Sequence, residues 1–319
     1  MSEALIEAIG LVRRYKLPGK RVLSAVDGVD LSISRGATLG LVGESGSGKS
    51  TLGRTLVGLQ DPSAGEVRFE GEPVAGASGE KLLRLRRERQ IVFQDPSGAL
   101  NPRMTLGDTI VEHLRVQGFS RAKARERATE VLSLAGLAEA FSGRYPHEVS
   151  GGQRQRAVIA RAISTDPAFI VADEPVSALD VSTRAQIMNL MRELQRRGGL
   201  TMLFISHDLS IVAHMCREVA VMYLGQVVER APRASLFRTP LHPYTAALLS
   251  AIPLPDPAKE RTRTRIVLKG ETPDPSAIPS GCRFHTRCLR ATELCAKVPP
   301  ETRTLLPGHT VACHHPLDV

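Results

Sequence analysis

Short apolar segments alternate with longer segments of helical periodicity along the first 250 residues of the chain. Four of the apolar segments are four or five residues long and contain β-branched side chains: residues 38–42, 90–93, 169–172 and 202–205. Such runs are typical of strands that are buried on both faces of a parallel sheet. Helices are predicted over residues 49–59 and 181–197, the second with apolar side chains at helical spacing. The pattern therefore predicts an α/β fold.

The stretch from about residue 95 to residue 164 has no convincing strand pattern. Residues 122–138 and 153–163 are instead rich in Ala, Arg, Glu and Leu, which are good helix formers. We therefore expect a helical subdomain, about 95–164, to be inserted into the sheet-and-helix core.

The amino-acid composition of the sequence changes after Ile252. A Pro-rich segment is followed by a basic stretch and then by a tail that is rich in Pro, Gly and Cys. This change predicts a boundary near residues 253–258. It divides the chain into a domain of residues 1–255 and a small cysteine-rich C-terminal extension of residues 256–319.

Composition and charge narrow the range of functions. The 319 residues are 42 % apolar, and no apolar run approaches the ~18 residues that a membrane-spanning helix needs. The N-terminus lacks the basic region of a signal peptide, so we expect a cytosolic protein. The net charge of +9 comes from basic runs interleaved with apolar or acidic residues, and only 4 % of the residues are aromatic. These features argue against nucleic-acid binding and favour an anionic membrane surface or an acidic loop of a partner.

Residues 43–50 read G-E-S-G-S-G-K-S and match the phosphate-binding pattern G-x-x-x-x-G-K-[ST]. In such a P-loop the backbone N–H groups bind phosphates, Lys49 reaches the β- and γ-phosphates, and the Ser50 hydroxyl is available for Mg²⁺. Kinases, GTPases and helicases share the motif, so it predicts nucleotide binding without specifying a function. The predicted ATP-binding residues of this region are Gly43, Glu44, Ser45, Gly46, Ser47, Gly48, Lys49, Ser50 and Thr51.

Two carboxylates follow the third predicted strand. Asp173 and Glu174 end the run F-I-V-A-D-E, where the strand edge places them beside the P-loop. We expect Asp173 to hold Mg²⁺, directly or through water, and Glu174 to orient and polarise the attacking water. Alone, such a pair more often marks a surface turn. The upstream P-loop and the S-A-L-D run at 177–180 favour the catalytic interpretation.

Two further side chains follow predicted strands. Gln94 comes after the second strand, where its amide could reach Mg²⁺ or the nucleophilic water. His207 follows the fourth strand, in F-I-S-H-D, and is expected to hydrogen-bond the γ-phosphate and to hold the water of Glu174. The predicted catalytic residues are therefore Glu174, His207 and Gln94, and the predicted Mg²⁺ ligands are Ser50, Gln94 and Asp173.

A second glycine-rich motif, V-S-G-G-Q at residues 149–153, precedes a helical stretch. Glycines beside a serine at a helix N-terminus form another anion-binding site, on which the chain's own P-loop cannot close. The motif predicts a nucleotide sandwiched between two chains, with Ser150, Gly151, Gly152 and Gln153 in the site.

Taken in order, these motifs resemble those of the ATP-binding subunits of ABC transporters, over approximately residues 5–250. The resemblance implies a P-loop (RecA-like) core and a head-to-tail dimer, in which the S-G-G-Q motif of one subunit binds the γ-phosphate held by Lys49 of the other. It also implies that Tyr15 stacks on adenine and that Asp180 belongs to the ATP site. Val149 stands where the family more often has Leu.

The cysteines are clustered. Four of the five have the spacing C-x5-C-x6-C-x17-C near the end of the chain: Cys282, Cys288, Cys295 and Cys313. Disulfides are disfavoured in a reducing cytosol, and the spacing is not the paired C-x-x-C of a zinc ribbon. Four thiolates suit Zn²⁺ or a [4Fe–4S] cluster, and chemistry alone leaves both open. Cys216 lies in an apolar helix pattern, and we expect it to be a core residue. Three histidines of the tail could replace a cysteine as ligands, but as lone surface histidines they are expected to be bystanders: His285, His314 and His315.

The tail resembles the C-terminal extension of the oligopeptide/dipeptide subfamily of these transporters. The matching runs are L-H-P-Y-T (241–245), G-C-R-F-H-T-R-C (281–288) and V-A-C-H-H (311–315). The resemblance favours a [4Fe–4S] cluster over Zn²⁺. It implies an ATPase that energises import of di- or oligopeptides at the cytoplasmic face of the inner membrane. The implied partners are two transmembrane permease subunits, a second related ATP-binding subunit and an extracytoplasmic solute-binding protein.

Two alternatives to peptide import stay open. Related systems carry nickel, glutathione or opine-like compounds, and no cargo-touching residue lies in this chain to separate them. A soluble ABC ATPase acting on ribosomes or DNA would usually have two cassettes or a long coiled coil. This chain has one P-loop, one S-G-G-Q motif and no heptad run, which argues against that class.

Overall fold

The computed structural model describes residues 4–253, 256 and 265–318. Its strands are β1 (Ala4–Lys16), β2 (Val22–Ser34), β3 (Thr38–Val42), β4 (Ala64–Phe69), β5 (Glu72–Pro73), β6 (Arg89–Val92), β7 (Phe169–Asp173), β8 (Thr201–Ile205), β9 (Glu218–Tyr223), β10 (Gln226–Pro232), β11 (Thr302–Leu306) and β12 (His309–Ala312). Its helices are α1 (Lys49–Leu56), α2 (Gly79–Glu88), α3 (Pro96–Ala99), α4 (Leu106–Val116), α5 (Arg121–Leu134), α6 (Gly151–Ile163), α7 (Val181–Gly198), α8 (Leu209–Met215), α9 (Arg233–Arg238), α10 (Pro243–Ser250) and α11 (Glu293–Lys297).

The larger of two sheets has eight strands in the order β11-β12-β10-β9-β3-β8-β7-β6. The strands from β9 to β6 pair in parallel, whereas β10, β12 and β11 continue the sheet antiparallel. Strands β3, β7 and β8 are buried along their whole length, as is usual for a parallel sheet that is covered on both faces. Because these strands are parallel, the loops that follow them meet at one edge of the sheet.

The smaller sheet is antiparallel, with the order β2-β1-β4-β5. Its apolar face shares one buried cluster with β3 and α1, in which Leu11 and Val29 join Leu41 and Leu52. This packing brings the ends of β1 and β2 close to the loop between β3 and α1.

The α/β fold predicted from the sequence is confirmed. The four predicted strands correspond to β3, β6, β7 and β8, with ends shifted by at most one residue. Residues 93–168, all of which the structure describes, contain helices α3 to α6 and no strand, in the stretch predicted as a helical subdomain of about 95–164. Cys216, expected in a helix of the core, directly follows α8 and is 2 % exposed.

Residues 265–318, which we call the C-terminal segment, pack against the larger sheet. Strand β12 pairs with β10, where Glu229 and Arg230 lie opposite Val311 and Thr310. The buried carboxylate of Glu229 also accepts a hydrogen bond from Nε2 of His309 at 2.7 Å. The segment is therefore attached through backbone pairing and a buried polar contact. Most of the predicted boundary, residues 253–258, lies outside the described residues.

Candidate nucleotide-binding site

The P-loop joins β3 to α1, so the buried central strand delivers it to the edge where the parallel strands end. Gly43 and Gly48 have φ angles of +152° and +102°. A Cβ at either position would overlap a backbone carbonyl oxygen, that of Met222 or that of Ala25. Only glycine fits at these two positions. The loop is therefore held tightly between β9 and β2, with the N-terminus of α1 behind it.

Lys49 is the first residue of α1 and is 5 % exposed. Its Nζ donates to the carbonyl oxygens of Gly43 and Glu44, both at 2.8 Å. Burial lowers the pKa of Lys49, while the carboxylates of Glu174 and Asp173 raise it. The ammonium group thus lies inside the curve of the loop, near two carboxylates.

Asp173 ends β7 and is 1 % exposed. The hydroxyl of Ser50 donates to Oδ1 of Asp173 at 2.8 Å. Burial raises the pKa of Asp173, whereas the hydrogen bond from Ser50 and the charge of Arg54 lower it. The hydroxyl and the carboxylate are hard oxygen donors of the kind that Mg²⁺ prefers, and they are in contact.

Glu174 follows β7 with a φ of +47°, a left-handed conformation that is uncommon for residues other than glycine. Its amide donates to the carbonyl oxygen of Ile205 at 3.1 Å, which fixes this turn at the end of the neighbouring strand β8. Its Oε2 accepts a hydrogen bond from Nε2 of Gln94 at 3.2 Å and lies 3.1 Å from Nδ1 of His207. The three predicted catalytic side chains therefore meet at one carboxylate oxygen.

Except for Asp173, which is buried behind Ser50, these side chains line one cavity of about 720 Å³. Its lining residues are Tyr15, Leu23, Ala25, Ser45, Gly46, Gly48, Lys49, Ser50, Thr51, Gln94, Glu174, His207 and Pro275. The sequence analysis did not identify Leu23, Ala25 or Pro275, because apolar side chains and a proline carry no chemical signal. The volume and the mixed polar and apolar lining are those of a small-molecule site.

Tyr15 lies at the end of β1, on the rim of this cavity. Its hydroxyl donates to Oε1 of Gln60 at 2.6 Å. The guanidinium group of Arg13 lies 4.9 Å from the ring centroid and covers one face of the ring.

The S-G-G-Q motif begins α6 as a capping box. The amide of Gln153 donates to the Ser150 hydroxyl at 3.3 Å, and Oε1 of Gln153 accepts from the Ser150 amide at 2.8 Å. A Cβ at Gly152 would overlap the side chain of Thr183 in α7, so this glycine is needed for the packing of α6 on α7.

Asp180 caps α7 and accepts hydrogen bonds from the Thr183 amide at 2.9 Å and the Ser182 hydroxyl at 2.6 Å. These bonds hold the pKa of Asp180 far below its usual range. Within the described residues, neither the S-G-G-Q motif nor Asp180 lines the P-loop cavity of the same chain.

The four tail cysteines line one small cavity, and four histidines line it with them: His242, His285, His314 and His315. Burial raises the pKa of Cys282 and Cys288, and it raises that of Cys313 to about 11. All five cysteines of the chain are free thiols. The donor set suits a thiophilic metal. Across the part of the chain that the structure describes, however, no group of three or more His, Cys, Asp or Glu side chains is already arranged to hold a metal ion.

The three tail histidines make other contacts. Nε2 of His314 donates to the carbonyl oxygen of Val298 at 2.8 Å, and Nδ1 of His285 donates to that of Cys282 at 2.9 Å. Nε2 of His315 lies 2.9 Å from the Thr292 hydroxyl. One ring nitrogen of each therefore has a polar partner other than a cysteine thiol, although all three rings line the cysteine cavity.

No helix among residues 4–253, 256 and 265–318 is long and apolar enough to cross a bilayer.

Comparison with known proteins gives two family matches. Residues 26–177 match the ABC transporter family, and residues 228–295 match the oligopeptide/dipeptide transporter C-terminal region. Curated relatives include the oligopeptide transport ATP-binding protein AppF of Bacillus subtilis, which is 51 % identical over 294 residues, covering 92 % of this chain and 89 % of that protein. A protein of Brucella ovis, provisionally named a peptide import ATP-binding protein, is 49 % identical over 310 residues and 97 % of both chains.

Solved structures with a similar fold include an ATP-binding cassette and a part of an ABC transporter complex. A dimeric structure of the ATP-binding cassette MJ0796 with bound ADP and Pi superposes with a TM-score of 0.65 at 31 % identity, covering 72 % of this chain and 98 % of that one. The cbiO1 protein of Clostridium perfringens, part of the ABC transporter complex cbiONQ, gives a TM-score of 0.65 at 28 % identity, covering 74 % and 91 %. The chain therefore belongs to the ATP-hydrolysing subunits of ABC transporters, and it carries the oligopeptide/dipeptide transporter C-terminal region.

Proposed function

We propose that this protein uses ATP hydrolysis to energise the import of di- and oligopeptides through a membrane ABC transporter. The observation that carries the proposal is the meeting of Gln94 and His207 at one carboxylate oxygen of Glu174, on the wall of the P-loop cavity. Hydrolysis needs a side chain beside the phosphate site that orients the attacking water, and a carboxylate there can also accept its proton. The names of the curated relatives support peptides as the cargo.

In this site Lys49 would bind the β- and γ-phosphates, and Ser50, Asp173 and Gln94 would hold Mg²⁺. The contact between Ser50 and Asp173 at 2.8 Å is consistent with a shared position for the cation. When bound, Mg²⁺ would offset the negative charge of the phosphates.

Glu174 would accept a proton from the water that attacks the γ-phosphorus atom, with ADP as the leaving group. Gln94 and His207 both contact Oε2 of this carboxylate, which fixes that oxygen and leaves Oε1 for the water. The left-handed backbone of Glu174 is an energetic cost that is typical of functional sites. His207 has a side chain that is 60 % exposed, which leaves it open to the γ-phosphate.

The S-G-G-Q motif would act on the nucleotide of a partner subunit. Its four residues and Asp180 stand at the N-termini of α6 and α7, where backbone N–H groups favour anions. Two sites would then close when ATP is bound and separate after hydrolysis, and this motion would drive transport.

We further propose the assembly and location. The partners would be two transmembrane permease subunits, a second related ATP-binding subunit and an extracytoplasmic solute-binding protein. The chain would lie at the cytoplasmic face of the inner membrane. Nickel, glutathione or another small solute is the alternative cargo.

The four tail cysteines would bind a [4Fe–4S] cluster, with Zn²⁺ as the alternative. Their approach to a single cavity supports a shared ligand. Iron, zinc and acid-labile sulfide should be measured in anaerobically purified protein and in Cys295→Ser. Iron and sulfide that both fall in the variant are expected. Zinc without sulfide would select the alternative, and absence of both metals would reject a metal site.

Uptake measurements test the transport function. Cells whose only copy of this gene encodes the wild type, Glu174→Gln or the exposed control Glu301→Gln should be given labelled di- and tripeptides, and separately nickel. We expect Glu174→Gln alone to lose peptide uptake. If peptide uptake persists while nickel uptake is lost, the peptide assignment is wrong.

A further inference from the structure

The second residue of the P-loop is tied to the C-terminal segment. The carboxylate of Glu44 accepts two hydrogen bonds from the guanidinium group of Arg287, at 2.8 and 3.2 Å. It accepts a third from the hydroxyl of Thr272 at 2.7 Å. Two parallel bonds from one guanidinium group fix both the position and the plane of the carboxylate. The side chain of Glu44 is thus held from outside the ATP-binding core.

Arg287 is itself held firmly. It lies in a single turn of 3-10 helix, and its side chain is 9 % exposed. Its amide donates to the carbonyl oxygen of Phe284 at 3.0 Å. The ring of Phe284 packs against Tyr223 and Tyr244, with centroids 5.3 and 5.4 Å apart. The hydroxyl of Tyr244 in turn accepts a hydrogen bond from the Glu44 amide at 2.8 Å.

The same segment reaches the loop by a second route. The guanidinium group of Arg283 donates to the carbonyl oxygen of Leu224 and to the carboxylate of Asp27. The next residue, Gly225, donates its amide to the carbonyl oxygen of Ser47 in the P-loop at 2.9 Å. Pro275 of the segment lines the ATP cavity. The segment therefore contacts the loop directly at Glu44, supports it at Ser47 through Leu224 and Gly225, and reaches the cavity at Pro275.

The charge of Glu44 makes its contact with Arg287 relevant to nucleotide binding. Burial raises the pKa of Glu44, but hydrogen bonds from Arg287 and Thr272 and the charge of Arg287 lower it overall, so the carboxylate is ionised. The Glu44 side chain does not itself line the cavity, but the next residue, Ser45, does, so an unbalanced negative charge on Glu44 would still repel a bound triphosphate. Arg287 balances that charge through its two hydrogen bonds to the carboxylate.

We propose that Arg287 is a positioning residue of the ATP site, and that the C-terminal segment sets the affinity of this protein for ATP. The proposal rests on the proposed function of the P-loop cavity. It assigns Arg287 no part in the chemical step.

Nucleotide binding by the full chain tests the proposal. The dissociation constant of a fluorescent ATP analogue with Mg²⁺ should be measured for the wild type, Arg287→Met and Arg287→Lys. The matched control is Lys297→Met, which removes an exposed ion pair with Glu293, 3.0 Å long, from the same segment. We expect the dissociation constant to rise about tenfold in Arg287→Met, less in Arg287→Lys, and not in the control. The KM for ATP should rise with little change in kcat.

A second substitution separates charge from general damage. In an Arg287→Met background, Glu44→Gln removes the unbalanced carboxylate and should restore affinity to within about threefold of the wild type. Thr272→Val, which deletes one hydroxyl donor, should weaken binding about two- to fivefold and tests the contact even if Arg287→Met fails to fold.

Lys49→Ala tells the two proposals apart. If Lys49→Ala does not weaken binding, the cavity is not the ATP site and the proposed function fails. If Lys49→Ala abolishes binding while Arg287→Met and Thr272→Val bind like the wild type, only the positioning role of the C-terminal segment is wrong. A loss in Arg287→Met that Glu44→Gln does not restore would also overturn it.

Discussion

Replacing Glu174 with Gln isolates the charge of one side chain in the site. Glutamine has the same size as glutamate and keeps one carbonyl oxygen, which can still accept from Nε2 of Gln94 and from His207. The present distances to that oxygen are 3.2 and 3.1 Å, so the variant needs little rearrangement. What it loses is the ability to take a proton from water.

The size of the effect follows from that loss. A positioned general base contributes about 10²- to 10⁴-fold, or roughly 3–5 kcal/mol of barrier. Binding should change in the opposite direction. The carboxylate of Glu174 adds negative potential at Lys49, where it raises the pKa of the ammonium group. Its removal therefore lowers the repulsion that ATP meets, and ATP should bind at least as tightly.

Steady-state phosphate release and equilibrium ATP binding check these two expectations in parallel. We expect kcat of Glu174→Gln to fall at least about 10²-fold, with an unchanged or lower dissociation constant for ATP. Size-exclusion chromatography with ATP should show more dimer than for the wild type. Turnover close to that of the wild type would remove Glu174 from the chemical step. Loss of ATP binding would mean that this side chain holds the nucleotide.

Three further perturbations have expected outcomes. Glu229→Ala leaves two backbone N–H groups and one imidazole without their buried acceptor. Urea denaturation should therefore show a free energy of unfolding that is lower by about 3–5 kcal/mol. A decrease below about 1 kcal/mol would contradict this reasoning. Burial, with a smaller effect of Arg161, lowers the pKa of His113 to about 4, so unfolding free energy should be highest above pH 6.5 and fall by about 1–3 kcal/mol towards pH 4. His113→Gln should flatten that profile, and an unchanged slope would exclude this histidine as the cause. Gly48→Ala should unfold at a lower temperature than Gly46→Ala. Both positions need a positive φ, but only at Gly48 would an added Cβ overlap a backbone carbonyl oxygen. Equal melting temperatures would refute the steric argument.

The proximity of the three candidate catalytic side chains could be predicted because they follow strands of one parallel sheet. Gln94, Glu174 and His207 each lie within two residues of the end of a short apolar run, and parallel strands bring such ends to one edge. Their meeting at a single carboxylate oxygen is a tertiary result, set by the turn of Glu174 at a φ of +47°. No local sequence pattern predicts that turn.

Several strands were not predicted, and each is difficult to recognise from the sequence for a physical reason. The pairing of β1 with β2 contains four register shifts, which break the alternation of apolar and polar positions. Strand β9 is a short apolar run, and such runs do not distinguish a buried strand from part of a buried helix. The hairpin of β11 and β12 has one largely exposed strand and is fixed by its pairing with β10. These strands form because of their partners.

The contact between Arg287 and Glu44 is even harder to predict from the sequence, because the two residues are 243 positions apart in the chain. Arg287 directly precedes Cys288, so the turn that aims the guanidinium group at the P-loop also places a thiol in the cysteine cavity. A group bound by the four thiols would restrict this turn before ATP arrives. The entropy lost on ordering the turn would then no longer weaken the binding of ATP. If both proposals hold, this one turn would link occupation of the cysteine cavity to affinity for ATP.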